Sequence, residues 1–376
     1  MDLEAKKKRK RFYDYSLLFA VLFITGFGML MMYSASSYSA QTQLNNAQYY
    51  LHRQMLFAGG GILLMLLISK ADYHVLWKLS PLIYVLCWVA VLATSFIGLS
   101  SHGSRRWISI FGMRVQPSEF MKAGVIIFLA AQITMKGRKL DKLKPWMLAF
   151  LIGLIPAGVT AFSNLSTAII ITCIAGVMLF IANSKYWPFM ILAVVGVAGY
   201  IGAYPFAKLL SALHILQEYQ LTRIFAWRDP ANYIDDTYQT IQGLYAIGSG
   251  GIFGKGLGES IQKFLIPEAQ NDMIFTIICE ELGLFGAVSL ILIYGFIIYR
   301  LYDIAKNAKD LFGSMLVIGV MVHISLQAIL NIAVATNSIP NTGITLPFVS
   351  YGGTSLVLLL LECGMCLSVS GQIEVE

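Results

Sequence analysis

The chain has 376 residues, of which 57% are hydrophobic and only 12% charged, against about 25% charged in a soluble domain. With a mean hydropathy of +0.70, this composition cannot cover a water-exposed surface. It excludes an ordinary cytosolic enzyme, a disordered chain and a secreted disulfide scaffold, and it predicts an all-α polytopic integral membrane protein.

The net charge of +7 begins in a basic tail, residues 1–14. Lys6, Lys7, Lys8, Arg9, Lys10 and Arg11 stand directly before the first apolar run. That placement suits the cytoplasmic flank of a membrane helix against anionic lipid, not a nucleic-acid partner. The first run is too long for a signal-peptide core and more runs follow, so it reads as a retained helix. Ten spans are expected: 15–34, 55–69, 80–99, 117–134, 145–163, 165–183, 186–206, 273–299, 311–336 and 346–368. Together they make one transmembrane domain, 15–368, followed by a short cytoplasmic tail, 369–376. No internal repeat is visible. Cys87, Cys173, Cys279, Cys363 and Cys366 all lie in apolar runs and read as small buried hydrophobes.

Placing both termini in the cytoplasm puts most of the 27 Lys and Arg on that side, as the positive-inside rule requires. Arg53, Arg105, Arg106, Arg114, Lys208, Arg223, Arg228, Lys255 and Lys263 remain outside, and Lys122 falls within a span. Most of the outer cations cluster in the 100–116 loop and in a long extracytoplasmic loop, 207–271. Loops of that length are usually functional. The long loop carries a glycine-rich stretch, Gly248 to Gly258, that fits neither nucleotide-binding pattern, because Lys255 is followed by Gly256. It reads as backbone that bends closely around a ligand or re-enters the membrane.

Ionisable groups inside spans are costly and usually functional. Glu119 and Lys122, at i and i+3, share a helix face and can pair. Asp272 opens the eighth span, where it serves either as a helix N-cap or as a partly desolvated carboxylate with a raised pKa. Glu280 and Glu281 follow, with Asp272 and Glu280 about 12 Å apart along a helix, too far to share a proton; both expect partners on the backbone or a neighbouring helix. Glu362 lies near the end of the last span. Outer cations such as Arg105 and Arg106, beside His102 and Trp107, suit a phosphate or diphosphate headgroup, with phospholipid contact as the alternative. Pro340, Pro347, Gly343, Gly352 and Gly353, with Ser350, Thr354 and Ser355, predict broken helix at membrane depth, which survives only when buried or lining a cavity.

Three segments together resemble the SEDS family (shape, elongation, division and sporulation), the FtsW/RodA/SpoVE proteins. They are Gly103-Ser-Arg-Arg-Trp107 with Gln116-Pro-Ser-Glu-Phe-Met-Lys122; Gly250 to Gly258 with Ile266-Pro-Glu-Ala-Gln-Asn-Asp-Met-Ile-Phe275 and Glu280-Glu-Leu-Gly283; and Leu346-Pro-Phe-Val-Ser-Tyr-Gly-Gly-Thr-Ser355. Their order spans nearly the whole chain. The resemblance implies a multi-pass protein of the bacterial cytoplasmic membrane. Its implied activity is that of an inverting peptidoglycan glycosyltransferase polymerising lipid II. It makes Asp272 the catalytic carboxylate and Glu119–Lys122 a supporting pair in a central cavity. It also implies a class B penicillin-binding transpeptidase and other division or elongation proteins as partners.

The chain departs from the family pattern at Asn271 and Met273, which flank Asp272. It departs again at Ser163-Asn-Leu-Ser-Thr167, where the family often carries Pro-Asp-Leu-Gly-Thr, so that acidic group has no counterpart here. Gly103 to Trp107 and Asn337 to Gly343 look closer to the division and sporulation branch than to RodA. On this reading Asp272 is the general base. Arg105, Arg106, Arg223 and Lys255, with Ser350, Thr354 and Ser355, are candidates to meet the diphosphate donor. No cofactor is required, although a divalent cation (Mg²⁺ or Mn²⁺) is a further candidate charge sink. The rival readings are a RodA-type elongation polymerase, a flippase or transporter for the lipid-linked precursor, and a noncatalytic division scaffold.

Overall fold

The computed structural model describes residues 10–101, 104–110, 113–183, 185–202, 205, 218–229 and 232–375. Among them, nine helices are long and apolar enough to cross a membrane. They are α1 (Tyr15–Leu44), α2 (Tyr49–Lys70), α3 (His74–Ile97), α4 (Pro117–Lys136), α5 (Leu143–Ala161) and α6 (Leu165–Ala182), and three that follow a shorter apolar helix, α7 (Trp187–Ile201). After α8 (Glu218–Arg228) and α9 (Ile234–Ser249) come α10 (Ile274–Asn307), α11 (Leu311–Ala335) and α12 (Gly353–Ser370).

Both ends of the described chain meet. Strand β1 (Lys10–Phe12) pairs antiparallel with the last strand, Ile373–Val375. The tenth span expected at 186–206 corresponds to α7, which at 15 residues is shorter than the nine helices above. Asp14 anchors this end. Its carboxylate caps α1 by accepting from the Leu17 N–H at 2.8 Å, and Arg300 of α10 donates to it from Nη2 at 2.8 Å and Nε at 3.1 Å.

Burial separates centre from periphery. In α12, 72% of the span is buried inside the protein, against 11% in α3; lipid must cover α3. Helices α4, α11 and α12 form the centre, with α2 packed on α12 and α10 beside α11.

Three expectations are corrected. The first helix runs to Leu44, past the expected end at 34, because its polar residues continue the helix to Asn45, which closes it in the left-handed region (φ 52°). The long loop 207–271 is not open loop where it is described, since it contains α8 and α9; its residues 207–217, 230 and 231 lie outside the described set. The last span begins at Gly353 rather than 346. Pro347 and Phe348, the latter at φ 64°, keep Leu346–Gly352 out of a helix. Gly28 allows this segment to reach the core: a Cβ there would stand 2.5 Å from the Phe348 carbonyl oxygen.

The 100–116 segment is a small sheet of β2 (Leu99–Ser101), β3 (Ser104–Ile110) and β4 (Met113–Val115), making Ile373–Val375 β5.

Candidate active site

Helix α10 is continuous except at Gly283, whose φ of 67° and ψ of −164° break it. A break frees backbone groups that must find partners inside a membrane, and the glycine-rich stretch supplies them. The N–H groups of Lys255 and Gly256 donate to the carbonyls of Glu280 and Glu281, and those of Leu284 and Phe285 donate to Gly251 and Ile252. Only glycine fits at Gly250, where a Cβ would lie 1.9 Å from the Cys279 carbonyl oxygen. The stretch is therefore a re-entrant support for α10.

This support takes up one expected ligand cation, Lys255, and a second outer cation, Lys263. Glu280, fully buried, accepts from Lys255 Nζ at 2.6 Å, from the Ile261 and Gln262 N–H groups at 3.2 Å and from the Ser260 hydroxyl. Glu281 accepts from Ser34 at 2.6 Å and lies 3.5 Å from Lys263 Nζ. Lys255 thus balances a buried carboxylate, a structural need that the sequence expectation of diphosphate contact did not foresee.

Asp272 sits in the turn just before α10 and is not its N-cap; that place falls to Met273. Its side chain is half-buried, and its Oδ1 accepts from Gln239 Nε2 of α9 at 3.3 Å. Burial pushes its pKa up, opposed by the nearby Arg223 guanidinium and the Gln239 hydrogen bond. Arg223, on α8, donates to the Asn341 carbonyl at 3.3 Å, and Asn341 donates to Gln239 Oε1 at 3.0 Å. Both Arg223 and Asp272 approach Gly343, at φ 65°, where a Cβ would stand 3.8 Å from Arg223 Nη1 and 3.9 Å from Asp272 Oδ2. Two elements of the supposed long loop therefore converge on Asp272.

Behind Asp272, α11 presents a polar stripe at i, i+4 and i+8: His323, Gln327 and Asn331. Asn331 Nδ2 donates to the carbonyls of Asp272 and Ile344, each at 2.7 Å. Gln327 Nε2 donates to the Thr345 carbonyl at 3.1 Å, and its Oε1 accepts from Lys122 Nζ at 3.1 Å. Lys122 Nζ also lies 3.0 Å from Glu119 Oε2, which accepts from Ser355 at 3.0 Å. The expected Glu119–Lys122 pair is thus formed and buried. A buried carboxylate and ammonium need each other and further hydrogen bonds, and Gln327 and Ser355 provide these.

The remaining candidates are dispersed. Arg106 Nε donates to the Ser163 carbonyl at 2.6 Å, tying the small sheet to the turn between α5 and α6. Arg105 lies in β3, opposite Ser100, and its side chain, like His102 and Lys208, is outside the described set. Ser350 is buried; its hydroxyl accepts from the Leu346 N–H at 2.8 Å, which closes a turn. Thr354 stands half-buried in the first turn of α12. Reading the sequence missed Gln239, Gln327, Asn331 and His323. The last three were visible as a polar i, i+4, i+8 stripe in an apolar run.

Among the described residues, no three His, Cys, Asp or Glu side chains are grouped to hold a metal ion. Around Asp272 stand the Gln239 amide, the Arg223 guanidinium and, near enough to act on its charge, the Glu268 carboxylate; a guanidinium in that place competes with a divalent cation for Asp272.

The fold is shared with known proteins. The profile of the FtsW/RodA/SpoVE family, described as cell cycle protein, matches residues 15–374. The chain belongs to this family of polytopic membrane proteins. Stage V sporulation protein E of Bacillus subtilis is 37% identical over 375 residues, covering 95% of this chain and 96% of that protein. A probable peptidoglycan glycosyltransferase FtsW of the same organism is 37% identical over 373 residues, covering 97% and 92%. Among solved structures, a chain from work on structural coordination of polymerization and crosslinking by a peptidoglycan synthase complex superposes with a TM-score of 0.77 at 25% identity, covering 95% of this chain and 97% of that one. The rod shape determining protein RodA of Thermus thermophilus superposes at 0.71, with 24% identity and 97% and 98% coverage, a likeness of fold.

Proposed function

We propose that this protein is an inverting peptidoglycan glycosyltransferase that polymerises lipid II at the outer face of the bacterial cytoplasmic membrane. The observation that carries the reading is Asp272: a half-buried carboxylate of raised pKa, held by Gln239 and close to Arg223 beside Gly343. A raised pKa brings a carboxylate toward useful general-base strength. Asp272 accepts the proton of the acceptor's 4-hydroxyl, that oxygen attacks the donor's anomeric carbon, and the undecaprenyl diphosphate leaves with the bonding electrons. One base with an in-line leaving group is the logic of inverting sugar transfer. Arg223 is the cation placed to meet developing negative charge; no step is routed through a metal ion.

The relatives named for sporulation and for FtsW support a septal or sporulation role rather than elongation. The positive-inside pattern and the paired chain ends support two cytoplasmic termini. The likeness to a chain of a complex that couples polymerization with crosslinking supports a transpeptidase partner. Purified protein supplied with lipid II tests the activity: it should yield glycan polymer, and Asp272→Asn should not. Movement of the lipid across vesicles with no polymer from the wild type would favour the transporter.

A further inference from the structure

His323 and Glu362 are both fully buried and use none of their chemistry in the reaction above. Glu362, on α12, places Oε2 2.8 Å from His323 Nδ1, and His323 Nε2 lies 3.0 Å from Gln327 Oε1. The donors and acceptors fix the protons. Lys122 Nζ can only donate and the Thr345 carbonyl can only accept, so Gln327 must aim Oε1 at Lys122 and Nε2 at Thr345. His323 Nε2 faces that same Oε1 and must carry hydrogen. Nδ1 then meets the Glu362 carboxyl with one proton shared between them, since an unprotonated nitrogen against a bare carboxylate at 2.8 Å would repel.

We infer that Glu362 and His323 are positioning residues for the polymerase reaction. Glu362 holds His323 in the state that donates from Nε2, and His323 and Thr345 together lock the Gln327 amide that seats Lys122 beside Glu119. This rests on the glycosyltransferase reading. Through Gln327, the same device ties Lys122 to Thr345, in the segment that carries Gly343 past Asp272. What it requires of Glu362 is a partner for Nδ1 that leaves the proton on Nε2; a carboxyl or an amide N–H meets that need, so a negative charge is not required.

That requirement separates the two obvious substitutions. Glu362→Gln keeps a donor to Nδ1 and therefore the Nε2–H state. Glu362→Leu removes it and leaves Nδ1 buried without a partner, whereas replacing the whole ionisable pair with apolar volume is usually tolerated by the fold. At matched membrane level and melting temperature, Glu362→Leu should lower lipid II turnover at least tenfold with KM unchanged, and Glu362→Gln should retain wild-type turnover. If Glu362→Leu does not accumulate, the double variant His323→Leu with Glu362→Leu should show the same loss of turnover. Nitrogen-15 spectra of histidine-labelled full-length protein in nanodiscs read the state directly, with the His323 signal identified by its loss in His323→Gln. Protonated Nε2 in the wild type and in Glu362→Gln supports the assignment, and an unprotonated Nε2 overturns it whether or not the protein makes polymer. Wild-type turnover in Glu362→Leu, or equal loss in Glu362→Gln, also overturns it. Absence of polymer from the wild type counts against the glycosyltransferase reading instead.

Discussion

Arg223 Nη1 and Asp272 Oδ2 lie 3.8 and 3.9 Å from the point where a Cβ on Gly343 would stand. A guanidinium from α8 and a carboxylate from the mouth of α10 thus face one glycine of the broken segment before α12. Gly343 also sits at φ 65°, where a side chain is strained by about 1–2 kcal/mol. Gly343→Val therefore adds strain, and bulk that meets both charged groups. Lipid II polymerisation should fall at least tenfold while the protein still inserts, as checked by detergent-solubilised yield and turnover on one preparation.

Asp272→Asn should reduce polymerisation by about 10²–10⁴, the usual worth of a positioned base. Its stability should move the other way. Burial raises the Asp272 pKa in the folded state. The stability linked to its proton is therefore present below the unfolded pKa and lost as pH rises through the folded one. At pH 7 the carboxylate is a cost that Asn removes, so the variant should melt no lower than wild type there, and its advantage should shrink toward pH 4. Melting curves across that range check the sign.

Arg223 acts on the same group in the opposite direction, holding its pKa down against burial. Arg223→Ala should move the acid limb of the kcat/KM profile to higher pH and lower the plateau. A limb that stays in place while the plateau falls would assign Arg223 to the leaving group alone.

Lys122→Met leaves Glu119 buried without its cation, at a cost of about 3–5 kcal/mol. The double variant Glu119→Gln with Lys122→Met should recover most of that stability and little of the activity. A double-mutant cycle on melting, run beside turnover, separates the structural from the functional share of the pair.

Lys255→Met should behave differently from a diphosphate ligand. Its ammonium lies 2.6 Å from Glu280 Oε1, so the variant should melt lower with KM for lipid II unchanged within about twofold, the span of ordinary context effects on a removed neutral contact. A raised KM at unchanged melting would return Lys255 to the substrate.

Composition and hydropathy alone determined that the chain is a helical membrane protein, and the i, i+3 spacing of Glu119 and Lys122 was enough to predict their pairing, because helix geometry is local. The three motifs identified the family and singled out Asp272. Which cation serves which carboxylate was not legible. Lys255 and Arg223 look alike as outer cations, yet the break at Gly283 draws the glycine-rich stretch onto α10 and carries Lys255 to Glu280, while α8 brings Arg223 to Asp272. Partner choice for a buried charge depends on contacts between segments distant in sequence, and these arise only when apolar packing orders the helices. The polar stripe of His323, Gln327 and Asn331 could be counted in the sequence. Only α4, α10 and α12 closing around α11 decide that it faces Lys122, Asp272 and Glu362 instead of lipid, because burial without partners would be too costly for any other arrangement.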